Sequence, residues 1–173
     1  MKKTSFQGLT RSKTTRYKTV KVVAITTLVQ ALATLCTLVP ATIAPELALA
    51  FRLPASMIGY QVSIIYFGAI ITSLASGILI RRYGALRTSQ IALFFAGIGL
   101  VLSAVQSIII YGFGSLLIGF GYGLTNPAAS HLLMRISKPR NRNFIFSLKQ
   151  TGVPMGAVCA GLSAPILTLF PSV

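Results

Sequence analysis

The chain has 173 residues, 54% of them apolar and only 10% charged, with a mean hydropathy of +0.78. Soluble domains carry about 25% charged residues, which argues against a water-soluble globule. A formal charge of +15 rests on 16 basic residues against a single acid, Glu46, and this removes carboxylate metal sites and paired-carboxylate catalysis.

Such a charge ordinarily points to nucleic acid. Here the basic residues stand between apolar runs and there is no Trp, so no nucleic-acid partner is expected. His131 has no carboxylate to orient it as a catalytic base. Neither enzyme activity nor a cofactor nor a metal is expected. Cys36 and Cys159 fall inside separate apolar runs and read as small buried apolar residues, not as a disulfide.

Residues 1–19 hold Lys2, Lys3, Arg11, Lys13, Arg16 and Lys18 among Ser and Thr with no acid. Too few apolar residues are present to pack, so a disordered basic cytoplasmic tail is expected. Residues 20–44 are the first candidate span, with Thr26, Thr27, Gln30, Thr34 and Thr37 recurring at helical spacings to give one polar stripe. A signal peptide has an apolar core of about 7–15 residues, which this run exceeds, although Ala48-Leu49-Ala50 resembles a cleavage site. Pro40 and Pro45 kink or stop the helix. Residues 46–56 form a connecting loop with Glu46 and Arg52, ended by Pro54.

Residues 57–80 and 88–109 are the second and third candidate spans. Each is long enough, at about 1.5 Å per residue, to cross a hydrocarbon core of about 30 Å. The basic turn Gly77–Arg87 between them makes them antiparallel neighbours. Tyr111-Gly112 is expected to be a short second outer turn. Residues 113–136 are the fourth span, in which Gly119-x-x-x-Gly123, with Gly121 between, is a close-packing signal. A second basic turn at 137–143 leads to the fifth span, 144–170, and residues 171–173 end the chain on the outer side.

Lys2, Lys3, Arg11, Lys13, Arg16, Lys18 and Lys21 lie before or at the start of the first span. Arg81, Arg82 and Arg87 lie in the first basic turn; Arg135, Lys138, Arg140, Arg142 and Lys149 lie in and around the second. Only Arg52 falls on the opposite face. The positive-inside rule then places the N-terminus in the cytoplasm and, after five spans, the C-terminus outside.

Gly77, Leu79, Arg82, Tyr83, Gly84 and Arg87 match in type and spacing the signature between the second and third helices of the major facilitator superfamily, which the chain resembles. Arg81 stands where that signature has Asp, and Ile80 where it has a small residue. The fourth span, with Gly119, Gly121, Gly123 and Pro127-Ala128-Ala129-Ser130, is similar to the superfamily's glycine-rich fourth helix. Ser115 replaces the Arg common in its antiporters. Gly152, Pro154 and Gly156 partly match an antiporter Gly-Pro motif and, with Gly119, Gly121 and Gly123, are candidate helix-packing residues.

The resemblance implies an all-α polytopic membrane protein, with residues 20–170 as helices one to five of an incomplete N-terminal six-helix half. The family fold has twelve helices in two halves, with solute bound between them near the midplane. The implied function is a fragment of a secondary active transporter that moves a small solute across the cytoplasmic membrane by alternating access. Its partners would be the bilayer, the solute, a coupling ion and a missing C-terminal half. The alternative is a non-transporting membrane remnant, or a protein that interacts through its glycine faces.

Family geometry makes Gln30, Thr34, Gln61, Asn126, Lys149 and Gln150 substrate-cavity candidates, since polar groups in a bilayer turn to the bundle interior. Helix–helix hydrogen bonding is the plainer role for each. Lys149 has two directions open to it: snorkelling to the cytoplasmic surface, or facing the cavity to attract an anion. His131 is read as either a packed histidine or a proton relay.

Overall fold

The fold comes from a computed structural model, which describes residues 3–42, 48–49, 52, 54–105 and 107–168. Every regular element among these is helical. The elements are α1 (Lys3–Thr42), α2 (Ala55–Leu102), α3 (Ile108–Ile136), a 3-10 turn (Pro139–Asn141), α4 (Arg142–Gln150) and α5 (Gly152–Thr168). Among the described residues, three helices are long and apolar enough to cross a membrane: Thr19–Thr42, Gly59–Leu102 and Ile108–Ile136.

The apolar part of α2 has 44 residues, about 66 Å if straight and twice a hydrocarbon core. It does not run straight. Gly84 has φ 80° and ψ 158°, the one non-helical residue inside α2, and helical backbone runs up to it from both sides. The contacts with α3 show what this does. In the first arm, a Cβ at Gly119 would collide with the Ile65 carbonyl oxygen, and one at Gly123 with the Ala69 carbonyl oxygen. Both numbers rise together, so the first arm is parallel to α3. In the second arm, a Cβ at Gly114 would come within 2.7 Å of the Gly99 carbonyl oxygen, and one at Gly121 within 2.8 Å of the Ala96 nitrogen. Here one number rises as the other falls, so the second arm is antiparallel to α3. The arms of α2 are therefore antiparallel to each other, with the basic motif at their hinge.

α3 is held between these arms. Gly119 and Gly123, one turn apart, meet the first arm; Gly121, on the other side of the helix, meets the second. Without side chains at these points the backbones approach closely, the main source of helix association in lipid. Ser73 Oγ donates to the Gly123 carbonyl oxygen at 2.9 Å. Tyr66 and Tyr122 pack edge to face at 6.2 Å, and Phe95 and Phe120 at 6.4 Å.

α5 packs along α1. A Cβ at Gly152 would collide with the Thr27 carbonyl oxygen, and one at Gly156 with that of Ala31, so the two helices are parallel. Val23 of α1, Leu133 of α3 and Ile145 of α4 form one buried cluster. That cluster joins the beginning of the apolar part of α1 to the end of α3; further along, Gln30 packs on Gly152 and nearby Lys149 bonds back to Asn126, so α1 and α3 are antiparallel. The cluster also brings Lys21, Arg135 and Arg142 to one end of the bundle. The α2 hinge, with Arg81, Arg82 and Arg87, points to the same end.

Several boundaries differ from the expectation. The backbone of residues 3–19 is helical and continuous with the first span, where a disordered tail is expected; extending a formed helix avoids the nucleation cost. The second outer turn lies at 103–107 and not at Tyr111-Gly112, which are inside α3. Ser103 ends α2 there, its hydroxyl and its amide both donating to the Gly99 carbonyl oxygen. The fifth span is broken at Thr151 into α4 and α5. Pro154 explains the break: it has no N–H for the Gln150 carbonyl and its ring crowds that group. The ordinary helical ladder resumes one residue later, where the Met155 amide donates to the Thr151 carbonyl oxygen at 3.2 Å. Pro40 lies inside α1, two residues before its end. Cys159 is exposed and Cys36 half-buried, both free, so Cys159 is not the buried residue expected. His131 is also exposed, which removes the packed-histidine reading. Pro45 and Glu46 lie outside the described residues.

Candidate functional site

The polar stripe of α1 faces the bundle: Thr26, Gln30, Thr34 and Thr37 are all buried. Its threonines satisfy themselves on their own helix. Thr26 donates to Val22 and Val23, Thr34 to Gln30 and Thr37 to Ala33 carbonyl oxygens at 2.8–3.0 Å. Such back-bonding is the ordinary fate of Thr in an apolar helix. Gln30 is different. It is 1% exposed, and neither its carboxamide oxygen nor its nitrogen has a partner among the described residues.

Lys149 does not snorkel. It is 2% exposed, and its Nζ donates to Asn126 Oδ1 on α3. Helix register brings Gln30 to this pair. Val23 and Leu133 pack together; seven residues further along α1 is Gln30, and seven residues back along α3 is Asn126. The helices are antiparallel, so the two steps of about 10 Å end at the same level. On the other side, Gln30 packs against Gly152, where a Cβ would lie 3.0 Å from its own. Gly152 follows Lys149 by three residues. Gln30, Asn126 and Lys149 therefore share one level, with Thr34 one turn beyond, against Gly156.

That level is the middle of the bundle. The apolar part of α1 is Thr19–Thr42, and Gln30 stands at its centre, about 16 Å from the basic end.

The other cavity candidates do not join this level. Gln61 is buried with both amide atoms unpartnered among the described residues. It precedes Ile65 by one turn and so lies level with Ser115, about 16 Å from Asn126 along α3. Gln150 is exposed and turned away from the bundle. In the basic motif Gly84 supplies the hinge, the Arg82 guanidinium lies 5.5 Å from the centre of the Tyr83 ring, and Arg81, Arg82 and Arg87 are exposed. Among the packing candidates, Gly119, Gly121, Gly123, Gly152 and Gly156 all meet a neighbouring helix backbone, while Pro154 is exposed.

Sequence reasoning named Asn126 and Lys149 singly and missed that they pair. They are separated by 23 positions on different helices, and only packing could join them.

Comparison with known proteins follows the same lines. Over 98 residues the chain is 31% identical to facilitated glucose transporter member 10 of solute carrier family 2 from Xenopus tropicalis. The match covers 55% of this chain and 17% of that protein, so the chain spans about a sixth of its relative. No solved structure matches. A sequence model of the Major Facilitator Superfamily matches residues 24–172. With its apolar helices, glycine faces and basic hinge, this multi-pass membrane chain belongs to the major facilitator superfamily.

Proposed function

We propose that the chain supplies the first five membrane-crossing helices of a secondary transporter, carrying a small solute across the cytoplasmic membrane by alternating access. The spans are α1, the two arms of α2, α3, and α4 with α5. Their directions alternate in order along the chain, as a bundle that crosses at every helix requires. The basic residues gathered at one end support a cytoplasmic side for that end, and for the N-terminus with it.

The observation that carries the reading is the buried Asn126–Lys149 pair at mid-depth, with buried Gln30 at the same level. Membrane helices bury groups of this polarity at a cost of about 2.5–3.5 kcal/mol for a lysine, and they do so where solute or ion passes. A small polar solute has the hydrogen-bonding capacity for such a place. The remaining helices of the family fold would close the site from the other side.

The test needs no knowledge of the solute. In a background with Cys36 and Cys159 replaced by Ala, a single cysteine at Thr34 is exposed to a membrane-impermeant thiol reagent from each face in turn. Alternating access predicts modification from both faces. Modification from neither face, or from one alone, would return the chain to the non-transporting reading.

A further inference from the structure

We infer that the solute is a small organic monoanion whose carboxylate is held by Lys149 Nζ with the side-chain amides of Asn126 and Gln30. This rests on the transport reading above. Lys149 is buried to 2% and its ammonium donates to Asn126 Oδ1. A carboxamide oxygen takes one of the three ammonium protons and compensates none of the charge. The chain has one acid, Glu46. In sequence it follows Thr42, itself twelve residues and about 18 Å beyond Gln30 along α1. No carboxylate of the described helices can therefore balance Lys149, and a buried ammonium without a counter-charge is expensive.

The neighbours select the form of the missing charge. Asn126, its oxygen engaged by Lys149, keeps an amide NH2 free to donate. Gln30 brings a second NH2, one that has no partner among the described residues. One ammonium and two amide donors suit the single charge and two oxygens of a carboxylate. A neutral sugar would satisfy the amides but leave the ammonium uncompensated. A dianion would bring one charge too many, because among the described residues the other lysines and arginines are at or beyond the basic end of the bundle, except Arg52, exposed in the loop before α2.

The experiment is thermal unfolding of the purified protein in detergent at constant ionic strength. Sodium acetate, pyruvate and benzoate are compared with sodium chloride and with glucose, each at about 10 mM, since stabilisation grows with ligand concentration over Kd. At least one carboxylate should raise Tm, while chloride and glucose should not. Lys149→Met should raise the Tm of the unliganded protein, because it removes an uncompensated charge, and should weaken the carboxylate response by about tenfold or more. Lys149→Arg should keep the response, and Gln30→Leu should weaken it without touching the charge. The inference is overturned if no carboxylate raises Tm, if glucose raises it instead, or if both Lys149→Met and Gln30→Leu respond like the parent. Two-faced modification at position 34 alongside any of those results would leave transport standing and remove only the monoanion.

Discussion

Gly84 reverses α2 through its backbone alone. At φ 80° and ψ 158° it occupies a region that side-chain-bearing residues avoid, and a Cβ there would meet nothing within 4 Å. Gly84→Ala should therefore cost about 1–3 kcal/mol from backbone strain alone, seen as a lower Tm in detergent; an unchanged Tm would mean that the hinge does not need this conformation. At the same scale, Asn126→Leu leaves the Lys149 ammonium without its acceptor and should cost about 1.5–3 kcal/mol. Adding Lys149→Met should recover most of that loss. If the two losses instead add, the pair is not coupled. The motif residues Gly77–Arg87 could be recognised in the sequence because a turn of this kind is local chemistry. The Asn126–Lys149 pair could not, because its partners lie on two helices whose rotation about their axes is set by packing.

The glycines of α3 act through the helices they touch. Gly119→Leu would drive a side chain into the Ile65 backbone, where no flexible group can yield, and overpacking costs about 1–3 kcal/mol or more. Gly97 in the second arm is the contrast. A Cβ there meets nothing within 4 Å, so Gly97→Ala should be neutral or stabilise by up to about 1 kcal/mol through helix propensity. Thermal melting of both variants checks the pair, and a loss for Gly97→Ala would place an unseen neighbour on that face. Close packing was legible in the Gly119-x-x-x-Gly123 spacing, but which arm each glycine meets was not. The outer turn was misplaced for a related reason. Gly112 reads as a turn residue in water, yet inside an apolar helix it is tolerated, and the serines at 103 and 107 mark the true end. Pro154 was read for packing, whereas its consequence falls four residues earlier, at the Gln150 carbonyl.

Across the whole molecule the helix directions make a topological prediction. With Cys36 and Cys159 replaced by Ala, cysteines at Arg82 and Arg140 should label from the same membrane face, and one at Ala104 from the other. Labelling of positions 82 and 104 from a single face would sink the hairpin reading of α2. Composition, apolar run length and the placement of basic residues determined by themselves that this is a helical membrane chain with one basic end. Those properties follow from the transfer of each segment into lipid, which is nearly additive along the chain. The tertiary structure alone decided which polar residues share a level: Gln30 with Asn126 and Lys149, but not with Gln61 or Gln150. Level and facing depend on register between helices far apart in sequence, and that register is set by where glycine lets backbones meet.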